Sequence, residues 1–423
     1  MKNYNVLNTL FVGIDVSSKT NVCVGLNFDS EELLHLKIDN NYNGACILKN
    51  ELVHLIDKYN FETTLIALES TSFYGLHVAN YLSDNPDLQK RNAYVFCLNP
   101  KMISNYKKSF IGLDKTDPID AFVIADFARV GRINIEPWRG SQLLALQRLT
   151  RHRLHLVECI SKEKSYMVSN IFLKFSELAV LKNEEHPFSS NHTATAEAIL
   201  TEMLSLEDIS NLSSEELINF VCKHSHNRYN NPKEVCSLLK KAARDSYRLD
   251  KVMYEPLTVS IASSFNCIKA YEKEIKTINQ AIERAIQGLF PDSFTVLKSI
   301  PGIGPVFASG ILAEIGDIKS FKSADALAKY AGIYWKRSQS GDYDADDTPM
   351  SKSGNKYLRY YLIEATDSIR RHEETFASYY KKKYDESTTH KHKRALVLAS
   401  RKTIRLIFAL LDKNQLYSSN RVS

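Results

Sequence analysis

The chain has no C-x-x-C pair, and its seven cysteines (Cys23, Cys46, Cys97, Cys159, Cys222, Cys236, Cys267) are scattered. In 423 residues that odd, dispersed set argues against a disulfide framework or a cysteine-bound zinc, and it suits a reducing cytosol. No apolar run approaches the ~18 residues that a bilayer crossing needs, so neither a transmembrane helix nor a membrane partner is expected. The opening Met1-Lys2-Asn3-Tyr4-Asn5 lacks a signal-peptide pattern. A strong charge imbalance is also missing. The formal net charge is +6 and the isoelectric point about 8.7, which permits a nucleic-acid partner without requiring one. What is present is a hydrophobic fraction of 44%, enough for real cores, and length for two or three domains.

Against that background four acidic residues stand out. Asp15 lies inside the apolar run Phe11-Val12-Gly13-Ile14-Asp15-Val16, and Glu69 ends another, Leu65-Ile66-Ala67-Leu68-Glu69. Asp117 and Asp120 lie in Lys115-Thr116-Asp117-Pro118-Ile119-Asp120-Ala121. A carboxylate inside a hydrophobic strand is costly to bury unless it is paired or binds a cation. Several such carboxylates converging can hold two divalent metals about 4 Å apart to cut or join phosphodiesters. Phosphoryl transfer on nucleic acid is therefore the leading reading. Asp117 and Asp120, three apart, share one helix face. They also have a structural reading, Asp117 as an N-cap before Pro118 and Asp120 at N3, and the two roles are compatible.

Residues 9–137 read as α/β. Phe11–Val16, Val22–Phe28 and Leu33–Ile38 have the pattern of three successive strands, and residues 43–58 have helical spacing. A strand Leu65–Glu69, a helix through Leu76, Val78 and Leu82, a strand Ala93–Leu98 and a helix from Pro118 follow. Three strands and then alternating helix and strand is the order of an RNase H-like domain. Residues 138–290 form a helical middle. One long pattern runs over 141–182 without a proline and another from Glu234 to Phe290, with a polar, irregular insertion over 183–235 that holds a short helix near Ser213–Val221. The two long helices are expected to pair antiparallel as a coiled-coil arm, with an ordinary helical bundle as the alternative. Residues 291–423 open on Ile300-Pro301-Gly302-Ile303-Gly304-Pro305 before the apolar helix Phe307–Ile315. Gly302, Ile303 and Gly304 could let backbone N–H groups approach a phosphate, as in a helix-hairpin-helix, or could simply pack two helices. The densest basic region is Lys381-Lys382-Lys383 with His390-Lys391-His392-Lys393-Arg394, read as a backbone clamp through Lys391, Lys393 and Arg394 or as a solvated face.

These stretches together resemble the DEDD transposases of bacterial insertion sequences. The resemblance is carried by Gly13-Ile14-Asp15-Val16-Ser17 with Lys19, by Glu69-Ser70-Thr71, and by Lys115-Thr116-Asp117-x-x-Asp120-Ala121 with Ile124-Ala125. It continues in Ile300–Pro305, Leu312-Ala313-Glu314-Ile315-Gly316-Asp317-Ile318, Phe321, Ala331-Gly332, Gln339-Ser340-Gly341, Ser351-Lys352-Ser353-Gly354-Asn355 and Leu358-Arg359. The resemblance implies a RuvC-like RNase H domain, a coiled coil and a mostly helical transposase domain. It implies an RNA-guided recombinase in which a serine attacks DNA, assisted by magnesium, as two ions, on Asp15, Glu69, Asp117 and Asp120. The partners implied are donor and target DNA, a structured bridge RNA, and further copies of the chain as a dimer or tetramer. A cytoplasmic, nucleoid-associated bacterial protein is the corresponding expectation. Piv-type DNA invertases are similar.

Within that frame Ser340, which precedes Gly341, is the candidate nucleophile, and Ser338 stays open beside it. A serine hydroxyl needs a base or a metal to activate it. Lys336, Arg337, Lys352 and Arg359 would contact phosphates. Two features depart from the family pattern. Asp342, Asp344, Asp346 and Asp347 follow Ser340 closely, and Ile333-Tyr334-Trp335 stands where the family more often has a leucine and a proline. Two other functions compete: a metal-dependent junction resolvase or nuclease using only the carboxylates, and a non-catalytic DNA- or RNA-binding protein. The intact acidic set argues against the second, and Gln339-Ser340-Gly341 with the glycine hairpin against the first.

Overall fold

The structure, a computed structural model, describes residues 4–69, 73–110, 116–133, 135, 137–138, 140–182, 185–203, 205–335, 339–340, 343–344 and 350–419. Contacts divide the chain into two compact units, residues 1–147 with 289–423, and residues 148–288.

The first unit begins as a mixed α/β sheet domain. Its elements are β1 (Thr9–Val16), β2 (Thr20–Leu26), β3 (Glu32–Asp39), α1 (Tyr42–Tyr59), β4 (Thr63–Glu69), α2 (Gly75–Asp84), α3 (Pro86–Gln89), β5 (Ala93–Leu98), α4 (Pro100–Lys107) and α5 (Asp117–Arg129). The sheet order is β3-β2-β1-β4-β5. β1, β2 and β3 form an antiparallel meander, whereas β4 lies parallel to both β1 and β5, so helices must cross between them. Side chains alternate across the pleat. Leu10, Val12, Ile14, Ile66 and Leu68 pack with α1 and α2 on one face, and Phe11, Leu65 and Ala67 pack with α4 and α5 on the other. The expected strands and helices are present, several a residue or two longer than the patterns suggest. α4 was not anticipated, although its start is written in the sequence: the Asn99 side chain accepts from Lys101 N, and Pro100 is the first helical residue.

The second unit is helical: α6 (Ser141–Lys174), whose first turns belong to the first unit, then α7 (Ser176–Val180), α8 (Ala194–Glu202), α9 (Leu206–Asn211), α10 (Ser214–Ser225), α11 (Pro232–Asp245) and α12 (Tyr254–Leu289). Arg153 Nε donates to Asn279 Oδ1 at 2.7 Å, Ser264 Oγ to Glu163 Oε1 at 2.6 Å, and Asn170 Nδ2 to Ser260 Oγ at 3.1 Å. Positions rise along α6 as they fall along α12, so the two helices pair antiparallel.

Both expected long helices are interrupted. α6 stops before the buried Phe175, and the second pattern breaks between Asp245 and Tyr254. The breaks satisfy one another: Glu177 N donates to Ser246 Oγ at 3.0 Å and Tyr247 N to Ser176 Oγ at 3.2 Å. Residues 183–235, expected as irregular apart from a short helix near Ser213–Val221, contribute that helix as α10 and also α8, α9 and the start of α11. Capping boxes at Ser205/Asp208 and Ser213/Glu216 start α9 and α10, and the helices share one apolar core with Met167, Ile171, Ile261 and Phe265. Buried Lys174 donates to Leu200 O, Met203 O and Thr258 Oγ1, so its ammonium caps the C-terminal carbonyls of α8.

The rest of the first unit is α13 (Pro291–Lys298), α14 (Pro305–Ile315), α15 (Ala324–Ala331), the short β6 (Gln339–Ser340) and β7 (Tyr343–Asp344), α16 (Lys356–Ile369), α17 (Glu374–Glu386) and α18 (Lys391–Lys413). α14 and α16 touch directly: a Cβ on Gly310 would meet the ring of fully buried Tyr361 at 2.4 Å. Among the described residues no helix is long and apolar enough to cross a membrane.

Candidate active site

Asp15 and Glu69 sit at the same edge of the sheet because β1 and β4 are parallel, with Ile14 opposite Leu68 in the register. One step further along each strand brings these two residues side by side. By alternation both share the face of Phe11, Gly13, Leu65 and Ala67, the face that α5 covers. α5 comes unusually close because position 13 has no side chain. A Cβ there would stand 2.1 Å from Ala121 O and 2.4 Å from Ala125 N. The first turn of α5 carries Asp117 and Asp120 toward this edge. Asp117 is itself the first helical residue after Thr116, so the expected N-cap role shifts to Thr116, whose side chain makes no capping bond.

The electrostatics record the convergence. Asp15 has its pKa raised to about 6, first by burial and then by the charges of Asp120 and Asp117, against a bond from Val16 N–H and the charge of Lys107. Glu69 is raised as well, by burial and then by Asp15 and Asp120. Lys107, on the unanticipated α4, forms an ion pair with Asp120. Among the described residues Asp15, Glu69 and Asp117 form no ion pair of their own. All four donors are carboxylate oxygens, the hard ligands that suit magnesium or manganese. Their mutual repulsion is the charge a divalent cation would relieve, so the donor chemistry fits such an ion. The side chains are not drawn to ligand spacing, however: among the described residues no three acidic, imidazole or thiol groups are close enough to hold a metal.

The glycine hairpin joins α13 to α14. Gly302 has φ +90°, and a Cβ on it would lie 2.8 Å from Ser368 O and from Ile369 N at the end of α16. Ile303 is buried. Gly304 alone opens to free space, at the N-cap of α14. Most of the hairpin is thus packed inward. Ser340 pairs with Tyr343 in the β6–β7 ladder. Lys336, Arg337 and Ser338 lie outside the described residues. Lys352 is exposed, with φ +51°. Arg359 directs Nη1 to two backbone carbonyls, Ala331 O and Lys352 O, each at 3.0 Å. Lys391, Lys393 and Arg394 are exposed at the start of α18, and His392 between them meets the Tyr380 hydroxyl at 2.7 Å. Sequence reasoning missed Lys107, and it missed the buried Glu314, which accepts from Asn355 Nδ2 at 2.7 Å. The Asn99-Pro100 pair could have found the helix of Lys107. A glutamate inside an apolar helix could have flagged Glu314.

The sequence matches known protein families at both ends of the chain. Residues 12–172 match the DEDD transposase of IS110, described as a transposase, and residues 295–381 match the "Transposase IS116/IS110/IS902 family". The chain belongs to this family of insertion-sequence transposases and is a DNA transposase/recombinase. It is 23% identical to the insertion element IS900 uncharacterized 42 kDa protein of Mycobacterium paratuberculosis, over 96% of this chain and 97% of the relative. It is 21% identical to the insertion element IS116 uncharacterized 44.8 kDa protein of Streptomyces clavuligerus, over 97% and 96%. A shorter stretch, 29% of this chain and 37% of the relative, is 30% identical to the pilin gene-inverting protein of Moraxella bovis.

Proposed function

We propose that the chain cuts and rejoins DNA by transesterification through Ser340, with Asp15, Glu69, Asp117 and Asp120 as the metal-binding set of a RuvC-like RNase H domain. The observation that carries this reading is the convergence of Asp15 and Glu69 on the first turn of α5, where their carboxyls are held above their ordinary range. The division proposed is a RuvC-like domain over 9–137, an arm with coiled-coil packing over 138–290, and a serine-bearing domain over 291–423.

In the reaction, the Ser340 hydroxyl oxygen bonds to phosphorus, the bond from phosphorus to a sugar oxygen breaks, and the serine proton passes to that departing oxygen. The phosphoserine keeps the bond energy, so the reverse step can rejoin a different strand. A divalent ion such as magnesium, or a pair of them, would supply positive charge to the phosphate oxygens when bound. Asp15 and Glu69 hold the negative side of that site, and Lys107 restrains Asp120. The hairpin at Gly304 and the cations Lys336, Arg337 and Lys352 would meet the DNA backbone. Lys391, Lys393 and Arg394 support a polyanionic partner for a further reason. They crowd positive charge onto the N-terminus of α18, where the helix dipole disfavours it.

Guidance by a structured RNA that pairs with donor and target DNA, and assembly into a dimer or tetramer, belong to the same proposal. Both rest on the resemblance. Site-specific inversion is the second reading, favoured by the match to the pilin gene-inverting protein. The test is to trap the reaction on DNA spanning the element's ends and to look for a DNA–protein adduct by denaturing gel and mass spectrometry. Ser340→Ala is expected to remove the adduct and Ser338→Ala to leave it. DNA cutting by the wild type without any adduct would point to a hydrolytic nuclease.

A further inference from the structure

The two ends of the segment that carries Ser340 are tied together by a β-bridge, hydrogen bonds and close backbone contacts. Trp335 and Met350 face each other in an antiparallel bridge. Ser351 N donates to Tyr334 O at 2.9 Å and Asn355 N to Tyr330 O at 2.7 Å. The backbones are in direct contact: a Cβ on Gly354 would lie 2.4 Å from Tyr330 O and 2.6 Å from Gly332 N. Arg359 reaches across from α16, and its Nη1 bonds one carbonyl on each side, Ala331 O and Lys352 O. A Cβ on Gly332 would stand 2.6 Å from that same nitrogen. Asn355 adds a third tie. Its Oδ1 accepts from Tyr357 N and Leu358 N to start α16, while its Nδ2 donates to Glu314 Oε2 on α14. Glu314 is only 2% exposed inside a helix that is otherwise apolar apart from Ser309. A buried carboxylate is expensive, and a helix–helix contact alone would be better served by an apolar side chain.

We propose that Glu314, Asn355 and Arg359 are positioning residues for Ser340, closing the base of the segment that presents it against α14 and α16. The inference rests on the reading of Ser340 as nucleophile. In-line attack tolerates little misplacement, and about 1 Å can cost on the order of a hundredfold in rate. A fixed base at residues 335 and 350 restricts where the serine can stand. Arg359 then acts on the protein backbone and not on DNA phosphate.

The experiment measures single-turnover adduct formation, and DNA affinity separately. It uses the full chain, DNA spanning the element's ends, the transcript of the flanking non-coding DNA, and magnesium. Arg359→Ala is expected to slow adduct formation by about a hundredfold with DNA affinity within about twofold. Adding Trp335→Cys and Met350→Cys allows the base to be closed covalently, since facing antiparallel residues lie about 4.5–5.5 Å apart, within disulfide reach. Oxidation is expected to restore most of the lost rate and a reductant to remove it again. Arg359→Ala that weakens DNA binding but keeps the rate at saturating DNA, or a cross-link that restores nothing, overturns the proposal. If Arg359→Ala does not fold, Glu314 decides. Glu314→Gln keeps an acceptor for Asn355 and is expected to stay within about threefold of wild type, while Glu314→Leu slows the step at unchanged affinity. Wild-type rates in Glu314→Leu overturn the proposal. An adduct that survives Ser340→Ala instead removes the reading of Ser340 itself, and the positioning role falls with it. Loss of the adduct in Ser340→Ala with no rescue by the cross-link removes the positioning role alone.

Discussion

Asp126 and Asp15 are acidic residues of the same sheet domain, both set among apolar neighbours, and their surroundings are opposite. Asp126, near the end of α5, is 5% exposed. It accepts from the Tyr106 hydroxyl at 2.6 Å and from Arg129 Nε and Nη2 at 2.8 and 2.6 Å. Arg129 is held in turn by Phe28 O. Asp15 meets Asp117 and Asp120, with Glu69 beside it, and the nearby Lys107 pairs with Asp120. One helix, α5, thus carries a neutralised structural acid near its last turn and two members of a crowded acidic edge in its first. Burial of a carboxylate is not what marks the site. What marks it is burial among like charges. The hairpin repeats the contrast on a smaller scale, with Gly302 packed against α16 and Gly304 open.

The strongest break of the comparison is at the edge. Glu69→Gln is expected to lower strand cleavage by at least about a hundredfold while the protein melts cooperatively, since a site charge is removed and no structural partner is lost. Asp126→Ala is expected to do the reverse. It leaves Arg129 and Tyr106 without their acceptor, and chemical denaturation is expected to show a loss of about 3 kcal/mol of stability. Gly302→Ala comes next, at about 2 kcal/mol, because a positive φ and a backbone clash coincide there, whereas Gly304→Ser, at an open N-cap, is expected to be near neutral.

The smallest effect is a pH dependence. Folded Asp15 keeps its proton up to about pH 6, whereas the unfolded chain releases it near the ordinary value of 3.8. The folded state binds the extra proton between those values, so this group's contribution to stability falls as pH rises from about 4 to about 6. Denaturation of metal-free protein across that window is expected to show the decline, and Asp15→Asn to flatten it.

Much of this was legible in the chain. A lone acid within Phe11–Val16 and another ending Leu65–Glu69 are visible because apolar strands seldom contain either. The strand and helix order of residues 9–137 follows from periodicity except for the short helices α3 and α4. What stayed hidden depends on tertiary partners. No proline or glycine marks the break at Phe175, which exists because Ser176 and Ser246 answer each other's backbone from 70 residues apart. The polar composition of residues 183–235 concealed α8 and α9, although the capping box at Ser205/Asp208 announces the start of α9, while the expected short helix near Ser213–Val221 is α10. The hairpin sequence suggested backbone N–H groups aimed outward, but the close approach that Gly302 serves is to Ser368 and Ile369. The two carbonyls that Arg359 Nη1 binds were also hidden, because nothing in the sequence around Arg359 reveals them.

The central claim is that the acidic edge is kept for chemistry at the expense of stability. It is tested most directly by Asp15→Asn, with thermal melting and strand exchange measured on the same preparation. The account predicts a melting temperature equal to or above that of the wild type, because a raised, repelled carboxyl is replaced by a neutral amide of the same shape, together with loss of strand exchange. A variant that melts well below the wild type, or one that still exchanges strands at the wild-type rate, would contradict it.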